Sequence, residues 1–303
     1  MLYNIEFHHK KLRRKSINKK RQIFSFVCVI LAAVLAILVH ALLSGSDAGA
    51  VEEAFDSGAV QVAGFPVVAS AYFVILYLQI LLVIRYYQKT SPLSKTQTGL
   101  RYGAAFGLIY LMGMQEVMLS ASPYQTYGID FIVYEIFMGL GDAIPAFALC
   151  LTISTMYVGG LHRDTPLANR ENDLTIRDAK RKIFIVMLVA AGFFLQRMTG
   201  YMIGYIESDI QSCPLPTLIW TLLFGLTFGI AYIMLEPIYS VYDERKRGIH
   251  ILILSLGINW IWFNLFIGLI YKGMWVKMLL RGVSDVFAIY IFYRIAVWLQ
   301  RKW

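Results

Sequence analysis

Eight predominantly apolar runs of about 20 residues punctuate this chain, near 23–44, 65–87, 102–120, 130–157, 183–206, 216–240, 250–271 and 278–299. A helix of that length rises about 30 Å, the thickness of a bilayer's hydrocarbon core, and satisfies its own backbone polar groups, which an isolated strand or loop in lipid cannot. The predicted fold class is therefore all-α, a polytopic membrane protein with eight transmembrane helices. A mean hydropathy of +0.60 and a hydrophobic content of 58% agree, because much of that apolar material has to face lipid. A basic segment precedes the first run, as in a secretory signal. The run is longer than the about 7–15 residues of a signal core, and ILVHALLSGSDAGA offers no clean cleavage boundary, so an uncleaved first helix is expected.

The formal charge of +9 would raise nucleic acid as a partner in a soluble protein, but its placement points elsewhere. Of the 28 Lys and Arg, 23 fall in segments that lie on one side of the membrane if the amino terminus is inside. The other side receives only Lys272 and Lys277, and its first loop, GSDAGAVEEAFDSGAVQVAG, is acidic. The positive-inside rule then places both termini in the cytoplasm. The tract HHKKLRRKSINKKR serves as a topology signal that also attracts anionic lipid, so no nucleic-acid partner is expected. Cys28, Cys150 and Cys213 show neither metal spacing nor a disulfide framework, and the five histidines form no cofactor set. No phosphate-binding loop, nucleophile elbow or zinc-protease motif is present, so no cofactor or metal is expected.

Four weak matches in the same order suggest an internal duplication: RQIF at 21–24 with RKIF at 181–184, FP at 65–66 with LP at 215–216, FGLIY at 106–110 with LGINW at 256–260, and MGLGDAI at 138–144 with RGVSDVF at 281–287. A four-helix unit crosses an even number of times, so both copies enter from the same side and the predicted repeat is parallel, 4+4. The expected organisation is a basic segment at 1–22, a first four-helix repeat at 23–158, a cytoplasmic linker at 159–182 and a second repeat at 183–303. The last match aligns Asp142 with Asp285.

Ionisable residues inside these runs cluster in the outer half of the bilayer. At about 1.5 Å per residue, Glu135 and Asp142 lie about 8 and 18 Å below the outer end of the fourth run. Arg281 and Asp285 sit in the eighth run, Gln196 and Arg197 in the fifth, Gln115 and Glu116 in the third, and Asn264 in the seventh. Glu135, Gly139 and Asp142 follow i, i+4, i+7 and share one helical stripe, with Pro145 beyond them able to free a carbonyl. Arg281 and Asp285 are an i, i+4 pair. Insertion of Asp or Arg near the bilayer centre costs about 2.5–3.5 kcal/mol each, so these side chains are expected to face the bundle interior, the acid stripe of the fourth run pointing toward Arg197 and the Arg281–Asp285 pair.

Two interpretations follow: an ion-pair network that only fixes helix register, or a pocket open to the outside. On the second, Glu116, Glu135, Asp142, Arg197, Asn264, Arg281 and Asp285 are the candidate ligand- or ion-binding residues. The function expected is solute binding or transport, with membrane lipids and a small solute or ion as partners. A membrane-embedded enzyme acting on a lipid or lipid-linked substrate at the outer leaflet is one alternative. A sensor, or a subunit with a membrane or cytoplasmic protein partner, is another. Gln79 and Asn259 read as interhelical hydrogen-bonding residues, and Glu236-Pro237 as a helix end whose carboxylate meets headgroups. The architecture is that of small bacterial multispanning proteins in general, giving an expected multi-pass location in a prokaryotic plasma membrane and no activity.

Overall fold

The computed structural model describes residues 2–43, 55–87, 91–119, 129–157, 176–206, 208, 210–211 and 214–302. The side chains of 2–18, 114–119, 129–135 and 176 lie outside this description, as does the linker between 158 and 175. In chain order the helices are α1 (Leu2–Leu43), the short α2 (Gly58–Ala63), α3 (Phe65–Tyr87), α4 (Lys95–Leu119), α5 (Ile129–Tyr157), α6 (Ile176–Met202) and α7 (Pro214–Leu235). After a 3₁₀ turn at Glu236–Tyr239 come α8 (Glu244–Gly248), a π-helical segment at Ile249–Ser255, α9 (Leu256–Ile270) and α10 (Trp275–Gln300). No strand occurs among the described residues.

Seven stretches of the described residues are long and apolar enough to cross a membrane: Lys19–Leu42, Phe65–Tyr87, Ile136–Tyr157, Arg177–Met202, Pro214–Tyr239, Glu244–Ile270 and Trp275–Gln300. The third predicted run corresponds to α4, which is not among the seven. Its first two turns carry Lys95 and Arg101, and its side chains beyond Gly113 fall outside the description. The basic N-terminal segment, expected ahead of the first span, continues that span as helix back to Leu2. Pro237 ends the regular part of α7, as its fixed φ and missing N–H dictate. Pro145 does not end α5. It leaves the Gly141 carbonyl without its usual donor, and on the adjoining carbonyl of Asp142 the Tyr77 hydroxyl donates at 3.2 Å.

Close helix approach rests on glycines. Gly99, Gly103 and Gly107 recur every four residues along α4 and meet Leu151, Phe147 and Ala143 of the antiparallel α5; one turn further, Gly139 of α5 meets Leu111. Small residues at such crossings let backbones approach, which is what holds helices together where lipid is as apolar as the side chains. A Cβ at Gly139 would stand 2.6 Å from the Leu111 carbonyl oxygen, a backbone atom that cannot rotate away. Gly139→Ala should therefore destabilise the protein by about 1–3 kcal/mol, read as a lower thermal unfolding midpoint in detergent.

The same pattern recurs toward the C-terminus, where Gly257 of α9 meets Val286 of α10 and Gly282 of α10 meets Ile261 of α9. α5 packs on α1 and α4, and α10 packs on α6 and α9. Between the two groups, α3 meets α9 and α4 meets α7. That seam is polar at its middle. Asn259 Nδ2 donates to Gln79 Oε1 at 2.8 Å, Tyr110 donates to Asn259 Oδ1 at 2.7 Å, and Gln79 Nε2 donates to the Leu254 and Ser255 carbonyls at 3.3 and 3.2 Å. The π-helical turns displace those carbonyls from α-helical register, and the Ser255 hydroxyl donates five residues back to the His250 carbonyl at 2.7 Å. Gln79 and Asn259 are thus interhelical hydrogen-bonding residues, as expected.

Candidate functional site

Two buried acid–base pairs hold the aligned aspartates. In the first, Asp142 on α5 meets a partner the sequence analysis did not single out, His40 on α1, with Nε2 and Oδ1 2.6 Å apart. Asp142 is 1% exposed. The imidazole stacks on Phe73 at 5.7 Å between centroids, and its Nδ1 lies 3.5 Å from Met138 Sδ. Gly141 makes this approach possible, since a Cβ there would stand 3.0 Å from His40 Nε2. The available signal was a single histidine within the otherwise uncharged stretch of α1 from 22 to 43, facing an aspartate 102 residues away.

In the second pair, Arg197 on α6 meets Asp285 on α10 in a fork: Nε donates to Oδ1 at 2.7 Å and Nη2 to Oδ2 at 2.6 Å. Both side chains have no exposed surface. The indole N–H of Trp260 on α9 donates to Oδ2 at 2.9 Å, and the guanidinium stacks on Phe193 at 4.9 Å. Two parallel N–H···O⁻ bonds plus a third donor compensate the desolvated carboxylate geometrically as well as in charge.

Beside the fork lies a shelf of neutral polar groups. Gln196 Nε2 donates to the Tyr205 hydroxyl at 2.6 Å and to Ser284 Oγ at 2.7 Å, and Ser284 donates to the Arg281 carbonyl at 2.9 Å. Arg281 is 3% exposed. Asn264 is completely buried; its amide nitrogen donates to the Trp260 carbonyl at 2.9 Å, and its Oδ1 meets no donor among the described residues.

Of the seven candidate residues, Asp142, Arg197, Asn264, Arg281 and Asp285 are all buried, and Arg197 is brought directly onto Asp285. The acid stripe of α5 was expected to point toward Arg197 and the Arg281–Asp285 pair. Asp142 is instead bound by His40, because α1 packs along α5. The Glu116 and Glu135 side chains lie outside the described residues.

A third constellation was read differently from sequence. Glu236, expected among headgroups, is 5% exposed. Its Oε1 accepts from Arg181 Nη2 at 2.7 Å and from Arg247 Nη1 at 2.9 Å. The 3₁₀ turn at Glu236–Tyr239 and α8 after it bring Arg247 back onto the carboxylate, where Arg181 of α6 also reaches it.

Repeated apolar helices with buried ion pairs between them define a multi-pass membrane protein. Compared with protein-family models, curated proteins and solved structures, the chain matches none.

Proposed function

We propose that this chain is an eight-span protein of the plasma membrane, built of two parallel four-helix halves with both termini in the cytoplasm, that binds or transports a small solute. α4 supplies the eighth span. The duplication draws support from register: under the sequence matches that align 106–110 with 256–260 and 138–144 with 281–287, the contacts Gly107–Ala143 and Leu111–Gly139 of one half fall on Gly257–Val286 and Ile261–Gly282 of the other. Exchanging the halves also turns the α3·α9 contact into the α7·α4 contact.

The observation that carries a binding function is the pair of buried aspartates at aligned positions, each held by a basic residue from the first helix of its own half. Register alone could be fixed with uncharged small residues, as the glycines do. Charges retained in lipid are a functional signature. The shelf of Gln196, Ser284 and Tyr205 supplies neutral hydrogen-bonding groups from the residues next to Arg197 and Asp285, and Asn264, one turn beyond Trp260 on α9, offers an Oδ1 that would accept from an N–H or O–H donor on the solute. Arg281 would supply the positive charge for an anionic group.

The test is aqueous access. In a variant lacking Cys28, Cys150 and Cys213, Ser284→Cys should react with a membrane-impermeant thiol reagent added outside, while Phe292→Cys, two turns deeper on α10, should not. Absence of labelling at both positions in a folded protein would leave the shelf sealed and make the ion pairs purely structural.

A further inference from the structure

The two pairs differ in one chemical respect. A guanidinium keeps its protons throughout the physiological range, so Arg197–Asp285 is a permanent ion pair. An imidazole facing a carboxylate holds one proton that can leave. We propose that His40–Asp142 is a proton-binding site, taking up one proton from water into the first half of the bundle and returning it there. The inference does not depend on solute transport, since a proton site is measurable without any solute.

The geometry isolates the pair. Within α1 from 22 to 43, α3 from 65 to 84 and α5 from 136 to 157, His40 and Asp142 are the only Asp, Glu, His, Lys or Arg; the other acids of α5 are Asp130 and Glu135 in its first two turns, Glu135 seven residues before Asp142 on the same stripe. The groups facing Asp142 from the packed elements are tyrosines: Tyr72 and Tyr77 on α3 and Tyr110 on α4, each within its electrostatic reach. On α4 the charged residues are Lys95, Arg101 and Glu116; Arg101 Nη1 donates to the Met234 carbonyl of α7 at 3.1 Å. With the proton bound, the pair is net neutral. Without it, a carboxylate remains in an apolar bundle with no cation beside it among the described residues, so proton occupancy changes the charge of the site by one full unit.

Two further features favour exchange. The His40 side chain retains 14% exposure near the end of α1, against 2% for Asp142, so the imidazole is the route between the carboxylate and water. Among the described residues its other nitrogen faces a thioether, a weak acceptor that does not fix a single tautomer. His250, by contrast, has its Nδ1 2.6 Å from the Tyr87 hydroxyl.

The experiment is nitrogen-15 NMR of histidine-labelled full-length protein in lipid nanodiscs, with the His40 signal identified by its loss in His40→Asn. Lowering the pH from about 9 to about 5 should convert that signal from neutral to doubly protonated imidazole. In Asp142→Asn the conversion should no longer occur at the same pH, because the carboxylate facing the imidazole is gone. A His40 signal that keeps one form throughout that range in the unaltered protein would overturn the proposal. So would a conversion that Asp142→Asn leaves in place.

Discussion

Arg197→Ala should lower the stability of the protein by about 3–5 kcal/mol, the loss expected when one partner of a buried ion pair is removed and the other stays behind. Asp285 would lose both guanidinium N–H donors and retain the Trp260 N–H, while its carboxylate stayed fully buried. The aromatic face of Phe193, over which the guanidinium lies, would lose its partner as well. The measurement is the unfolding midpoint in mixed micelles. Arg197→Met combined with Asp285→Leu should recover most of the loss, because two apolar side chains of similar volume leave no orphaned charge. If the double variant is stable but no longer admits thiol reagent to Ser284→Cys, the pair shapes the site and does more than hold helices. A single-variant loss below about 1 kcal/mol would mean that water already reaches Asp285.

Glu236→Ala should cost about 3 kcal/mol, at the lower end of the buried-pair range because its partners are partly hydrated. The Arg181 and Arg247 side chains are 26% and 18% exposed, against 7% for Glu236. Removal of the carboxylate leaves two guanidinium groups facing one another beneath α7, with Arg181 still held by Asp178 at 3.2 Å and by Glu244 at 3.4 Å. The repulsion should open the bundle at this end first, so limited proteolysis should cut between Ser240 and Arg247 faster than in the unaltered protein. Equal cutting rates would show that the remaining carboxylates suffice.

The helices were legible because bilayer thickness imposes a length on apolar runs; α3 begins and ends where its run does, at 65 and 87. Boundaries failed where polar residues continue a helix beyond the apolar part, as in α1 and at the start of α6. The burial of Asp142, Arg197 and Asp285 followed from the cost of charge in lipid. Their partners did not follow, since pairing depends on which helices become neighbours, and the contacts joining α1 to α5 span about a hundred residues of chain. The i, i+4 spacing of Arg281 and Asp285 drew attention to a local pair, whereas the stronger bidentate geometry came from a different helix. The glycine stripe at 99, 103 and 107 was legible in principle from its four-residue spacing. Glu236 was misplaced because its surroundings are created by a chain reversal at Pro237 that hydropathy does not encode.

The amide seam between α3 and α9 has a temporal side. Gln79 enters the membrane about 180 residues of synthesis before Asn259, Leu254 and Ser255 become available, a delay on the order of ten seconds or more at ordinary elongation rates. During that interval its carboxamide lies in a nascent helix whose partners have not been made. The His40–Asp142 and glycine-stripe contacts, confined to residues 40–151, can form while the chain is still being extended. Assembly is therefore ordered, with the α1–α5 contacts able to form before the partners of Gln79 have been made. The nascent α1–α5 segment is the species an insertase, or a second copy of the same segment, would meet with an unsatisfied glutamine on its surface.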